Sequence, residues 1–168
     1  RYLLGSLPYF RQANYTLGMR YRKFLKQGNI AIVLSQTQVN NNNFKYQDNA
    51  NDDPAALVFD LRSKEIEQRI RIEHNLRTKG WKVVYGLNVE GSNYQNDVIY
   101  PTYNASGLGR SFYNASYYTV YYGFFAQSSR RFFDNRLLLS LGLRLDGSSF
   151  NSSMSNPLNQ VSPRAALS

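Results

Sequence analysis

The stretch LLLSLGLRLDGSSF, Leu137 to Phe150, places leucine at every second position: Leu137, Leu139, Leu141, Leu143 and Leu145. Between them stand Leu138, Ser140, Gly142, Arg144 and Asp146. Side chains that repeat every second residue share one face of a β-strand. One face here is apolar and the other mixed or polar, and the fold turns on whether the leucines meet a protein core or lipid.

The same period recurs along the chain and predicts an all-β, antiparallel, up-and-down protein. A first strand is expected over 14–24, with Tyr15, Leu17, Met19 and Tyr21 on one face and Thr16, Gly18, Arg20 and Arg22 on the other. After the turn 25–28, Ile30, Ile32 and Leu34 mark a second strand over 29–40. In the third, over 65–77, Ile66, Ile70, Ile72 and Leu76 share a parity, opposite Glu65, Glu67, Arg69, Arg71, Glu73, Asn75 and Arg77. That segment is rich in helix formers, but its isoleucines make no clean helical stripe and favour strands. A fourth strand is expected over 81–92, with Trp81, Val83, Tyr85, Leu87 and Val89 on one face. A fifth follows over 113–131, the leucine stretch is the sixth, and a seventh begins near Pro163.

Short turns at 25–28, 78–80 and 132–135 alternate with longer segments at 41–63, 93–112 and 150–162. Outer-membrane barrels alternate short periplasmic turns with long extracellular loops in this way. The strands also exceed the about five or six residues usual in globular proteins and suffice for the about nine to eleven that cross a bilayer. Tyr21, Phe24, Trp81, Phe132 and Phe133 flank the short turns, as an interfacial girdle would. Parity alone does not separate lipid from core, because a soluble sandwich alternates too; strand length, loop rhythm and aromatics favour the membrane.

Composition narrows the chemistry. The 168 residues include no cysteine and one histidine, which leaves no basis for a disulfide scaffold, a zinc site or a Cys/His nucleophile pair. No apolar run is long enough for a transmembrane helix. The net charge of +9 invites a nucleic-acid reading, yet no Lys/Arg-rich run of five or more is present. His74 shares the parity of Ile70 and Ile72 near a short turn and reads as an interfacial or satisfied histidine. The acidic segment 48–60 lacks EF-hand spacing and reads as a solvated loop. Gly107-Leu108-Gly109 lacks a third glycine for a dinucleotide fingerprint. The Asn-X-Ser/Thr sequons at Asn14, Asn104, Asn114 and Asn151 matter only in a secreted eukaryotic protein.

Motifs in the last part of the chain carry a family resemblance. Ala126-Gln127 closes an aromatic-rich strand, and Asp134-Asn135-Arg136 makes a turn. Gly142-Leu143-Arg144 with Asp146 ends the leucine strand, and Ser162-Pro163-Arg164 opens the next. In this order they resemble the barrel of TonB-dependent outer-membrane receptors, and the Asn- and Tyr-rich loops resemble those of Bacteroidota members. The resemblance implies a bacterial outer-membrane location and an internal slice of about six or seven strands from a barrel of roughly 22, a size with a plugged lumen. Residues 1–168 would be part of one barrel domain, without its plug domain or C-terminal strands. The implied function is active uptake of a siderophore, oligosaccharide or peptide, with no catalysis, cofactor, metal or nucleic acid. Implied partners are the TonB complex acting through the plug region, outer-membrane lipid, the nutrient and a surface lipoprotein.

Three sets of residues follow. Tyr94, Tyr100, Tyr103, Phe112 and Tyr113, in the predicted extracellular loops, have rings that stack on a sugar, siderophore or peptide. Arg20, Glu67, Arg69, Arg71, Glu73, Arg144 and Asp146 form a polar wall toward the lumen, with ion pairing between neighbouring strands as the simplest role for most of them. Ile70, Ile72, Val83, Tyr85, Leu87, Leu139, Leu141 and Leu143 face lipid. Two rivals remain open from the residues: a passive porin or other barrel without TonB coupling, and a soluble basic β-domain that binds nucleic acid or polysaccharide.

Overall fold

A computed structural model describes residues 7–51, 53–104 and 107–168. Seven strands form one sheet in the order β1 to β7, each strand beside its sequence neighbours. They are β1 (Tyr9–Leu25), β2 (Gly28–Tyr46), β3 (Leu57–Thr78), β4 (Trp81–Asn104), β5 (Gly107–Phe132), β6 (Leu137–Ser148) and β7 (Val161–Leu167). This is the predicted all-β meander. Among the described residues the other regular elements are short 3-10 turns, at 47–49, 54–56 and 157–159.

The short turns stand where the sequence put them. Lys79 and Gly80 both have positive φ, 47° and 81°, the backbone of a two-residue hairpin turn that suits the strand twist. Phe133, Asp134 and Asn135 are all left-handed; Asp and Asn tolerate that conformation better than most residues, and Arg136 N donates to Phe133 O at 3.1 Å.

The far ends differ from expectation. Segments 41–63 and 93–112, expected as loops, are largely strand: β2 runs to Tyr46, β3 starts at Leu57, and β4 and β5 reach 24 and 26 residues. Asparagine and tyrosine there show no apolar parity, but ladder hydrogen bonds do not require it and tyrosine favours strands. Polar side chains bridge the strands as well, as where Asn41 Nδ2 donates to Ser63 Oγ at 3.4 Å and Asn114 Nδ2 to Asp97 Oδ1 at 3.0 Å. The segment before β7 does stay irregular, and Asn156 caps its 3-10 turn by accepting from Leu158 N at 3.0 Å.

Two compact units are distinguished within the chain: residues 1–16, 37–66 and 93–118, and residues 17–36, 67–92 and 119–168. The second holds all three short turns and the alternating apolar segments. Among the described residues the one buried hydrophobic side chain is Ala31, at 2% exposure. A soluble domain of this length buries a substantial core between layers, so apolar burial within the chain does not account for its leucines and isoleucines.

Candidate functional site

Direct register fixes the faces in the second unit. Leu139, Leu141, Leu143 and Leu145 of β6 stand opposite Arg130, Ser128, Ala126 and Phe124 of β5. On the other side they meet Leu167, Ala165, Pro163 and Val161 of β7. Residues directly opposite in an antiparallel pair share a face, so these three strands present one apolar band. Leu141 is 44% and Leu143 41% exposed. Ile70 and Ile72 of β3 and Tyr85 and Leu87 of β4 are likewise exposed, whereas Val83 and Leu139 are half-buried. His74 is held against Tyr85 (Nδ1 to Oη 2.7 Å, rings edge-on at 5.2 Å), but its Nε2 is buried without a hydrogen-bond partner, so the expected satisfied histidine is satisfied at one nitrogen only.

At the short-turn end of the second unit the aromatics cluster. Trp81 meets Phe132 edge-on at 6.3 Å, and the Arg130 guanidinium lies 5.6 Å from the Trp81 ring and 5.1 Å from Phe132. Arginine held over aromatic faces adds cation–π attraction to their packing.

The opposite face is charged and largely satisfied within itself. Arg69 contacts Glu67 on its own strand and Glu90 across on β4, both at 2.8 Å. Arg71 contacts Glu73 at 2.8 Å, and Glu73 also accepts from Asn75 Nδ2 at 2.7 Å. Arg144 contacts Asp146 at 2.6 Å. Pairing between neighbouring strands was expected; the structure has it at Arg69–Glu90, while the other pairs named here lie two residues apart on one strand, where side chains share a face. Exposed pairs like these contribute little stability, about 0–1 kcal/mol each. Their effect is to keep a polar surface neutral.

Two glycines let this face form. At Gly86 a Cβ would stand 2.2 Å from Ile72 O and 2.8 Å from Phe125 Cζ, and the space admits Phe125 beneath the Arg71 guanidinium, 4.6 Å from the ring centre. At Gly123 a Cβ would meet Asp146 Oδ1 at 2.6 Å and Asn88 Oδ1 at 2.8 Å. An open recess of about 940 Å³ is lined by Arg69, Arg71, Glu90, Phe125, Gln127, Arg144 and Arg164, among others. Glu90, Phe125, Asn88 and Arg164 were absent from the predicted polar set. Strand parity signals Glu90 and Asn88; Phe125 carried no polar signal at all.

The first unit holds the aromatic candidates, and here the sequence reading needs correction. Tyr94, Tyr100 and Tyr103 lie in β4, and Phe112 and Tyr113 in β5, not in loops, because both strands continue through the segment expected to be irregular. Tyr94 stacks on Tyr117 at 5.1 Å, so one of its faces is already covered. Phe112 and Tyr113 are 75% and 56% exposed but, as consecutive strand residues, point to opposite faces. The side chain of Tyr103 lies outside those described. The five therefore do not converge on one binding surface. The acidic segment also differs from a solvated loop: Asp60 is a buried β3 residue paired with Arg62 at 2.8 Å, and Asp53 caps a 3-10 turn by accepting from Ala55 N. Asp52 lies outside the described residues.

The sequence motifs of the last three strands come together in register. Ala126 and Gln127 stand opposite Leu143 and Gly142, which stand opposite Pro163 and Arg164, with Arg144 opposite Ser162. Motifs spread over some forty residues thus form one continuous row across the sheet. The family model of the TonB dependent receptor-like β-barrel matches residues 2–168. The chain belongs to this family.

Membership of the TonB-dependent receptor-like barrels places the chain in the bacterial outer membrane, in a family of receptors and transporters. The soluble nucleic-acid-binding domain is thereby set aside. Among solved structures, the copper transporter OprC is similar over 92% of this chain and 26% of its own, with 16% identity and a TM-score of 0.62. The RagAB peptide transporter (14% identity, TM-score 0.48) matches over 98% of this chain and 20% of its own. BauA, the ferric preacinetobactin receptor of Acinetobacter baumannii (12%, 0.47), matches over 94% and 27%. The chain thus spans about a quarter of the length of OprC, and at such identity the likeness is one of fold. No curated protein matches it.

Proposed function

We propose that residues 1–168 are part of a single barrel domain whose whole protein takes up a nutrient through the outer membrane at the expense of energy delivered by TonB. The observation that carries this reading is a sheet with one exposed apolar face and one internally paired charged face, in a chain of the TonB-dependent receptor-like family. Ile70, Ile72, Val83, Tyr85, Leu87, Leu139, Leu141 and Leu143 then face acyl chains. Arg20, Glu67, Arg69, Arg71, Glu73, Glu90, Arg144 and Asp146 line the lumen, where a plug and passing nutrient meet a wall of mixed, largely paired charge. The alternation of exposed Leu141 and Leu143 with charged Arg144 and Asp146 supports this assignment.

The proposed nutrient is a siderophore, an oligosaccharide or a peptide. Its capture falls to residues beyond the membrane band, among them Tyr100, Phe112 and Tyr113, and the proposed partners include the TonB complex and a surface lipoprotein. The test compares wild-type cells with strains lacking the full-length receptor or TonB, following depletion of ferric siderophores, maltooligosaccharides and short peptides from the medium. One class should persist in both mutants. A class that persists without the receptor yet is consumed normally without TonB would instead identify a passive pore.

A further inference from the structure

The chain's excess positive charge is concentrated at its three short turns. Residues 22–26, 77–82 and 130–136 carry nine of the 20 basic residues, three at each turn, and one of the 11 acidic ones, Asp134. The remainder holds 11 basic and 10 acidic residues, so eight of the nine surplus charges lie in these segments. In an up-and-down meander the β1–β2, β3–β4 and β5–β6 turns share one edge of the sheet, and all three belong to the second compact unit. The fold gathers what the sequence scatters.

This edge carries a single counter-charge of its own, Asp134, against nine cations. The ion-paired arginines Arg62, Arg69, Arg71 and Arg144 all lie elsewhere. Nine like charges held together with one anion among them repel one another, which makes the edge a surface for external anions. Aromatics are interleaved with the cations. Phe24 and Phe133 are each 74% exposed, and Arg130 is packed on Trp81 and Phe132. Arg130 stands opposite Leu139 in the ladder, so this cluster lies on the leucine face.

We propose that the short-turn edge binds the phosphate headgroups of anionic phospholipid, in the leaflet that the short turns face. The inference rests on the membrane reading above and adds a lipid preference to it. Cations and interfacial aromatics on the face that carries the leucines suit a headgroup layer, where rings sit at the boundary and basic side chains meet phosphate. An acidic protein docking on the turns from the aqueous side would not engage Arg130 on that face, and a single free phosphate would not span three turns.

The experiment uses the full-length receptor in detergent, supplied with equal amounts of phosphatidylglycerol and phosphatidylethanolamine, and reads retained lipid by native mass spectrometry. Heat-modifiable mobility on a gel first establishes that each sample is a folded barrel; a protein that lacks it refutes the membrane reading itself. The folded wild type should retain phosphatidylglycerol at least about tenfold over phosphatidylethanolamine, given about fivefold per cation near an anionic surface. Replacing Lys23, Lys26, Lys79 and Arg136 together by glutamine should bring the preference to about twofold or less, and Arg130→Gln alone should lower it measurably. Lys64→Gln, on β3 away from the turns, should leave it unchanged. Equal retention of both lipids by the folded wild type overturns the proposal, as does an undiminished preference in the fourfold variant. Complete displacement of lipid by inorganic phosphate, or by polyglutamate, would assign the edge to a free anion or an acidic protein and overturn it as well.

Discussion

Placing arginine at Leu141 and, separately, at Ser140 distinguishes the two faces within one strand step. Leu141 lies four residues into β6, about 13 Å along the strand at about 3.3 Å per residue. With a tilt of about 45°, that is about 9 Å into an apolar band about 25 Å tall, within about 4 Å of its middle. Arginine on the lipid face at that depth costs about 2–4 kcal/mol, which lowers the folding equilibrium constant about 30- to 900-fold. Ser140 stands opposite Ser129 and Ala166, small neighbours on the face of Gly142 and Arg144, so a long side chain there has room and water. Its replacement should cost less than about 1 kcal/mol, as surface substitutions usually do. Equilibrium urea unfolding of the full-length receptor in phospholipid vesicles measures both. Equal penalties, or a larger one at Ser140, would refute the assignment of faces.

Further outcomes follow from the same geometry. Gly86→Ala forces a Cβ toward Ile72 O and Phe125 and should cost about 1–3 kcal/mol, typical of overpacking; an unchanged urea midpoint would mean that Phe125 does not occupy this space. Glu90→Gln leaves Arg69 its Glu67 partner and should cost no more than about 1 kcal/mol, because the arginine is half exposed; a loss above about 3 kcal/mol would mean that the pair is desolvated. Trp81, the chain's one tryptophan, should be quenched more by bromine placed near the headgroups than at the acyl-chain ends, and the reverse order would remove the girdle from the interface.

The sequence reading was most accurate where period two is clean. The leucines of β6 and the isoleucines of β3 announced strands and separated their faces, even though EIEQRIRIEHNLR carries helix-forming residues. The short turns were legible because they separate well-marked strands. Strand ends were not legible in segments such as VNNNNFKY and YQNDVIYPTYN, whose polar residues are held by ladders with neighbours that no local pattern names. That is why the aromatic candidates were misplaced in loops. Same-strand pairs such as Arg71–Glu73 can be read from spacing, but Arg69–Glu90 depends on the register of β3 against β4. Trp81–Phe132 likewise depends on the neighbourhood of β4 and β5. The charge at the short turns stayed hidden for the same reason, since its three groups are far apart in the sequence and meet only through topology.

The central claim is that the two faces of β6 meet lipid and water respectively. The chain has no cysteine, so single cysteines at successive positions from Leu139 to Arg144 can each carry a nitroxide in the full-length receptor, reconstituted in bilayers after removal of any cysteine outside residues 1–168. Collision rates with molecular oxygen, which concentrates in lipid, and with a water-soluble nickel chelate report the surroundings of each label. The account predicts a period-two alternation, with oxygen favoured at 139, 141 and 143 and the chelate at 140, 142 and 144. Uniform exposure to the chelate at all six positions, or an alternation of opposite phase, would contradict it.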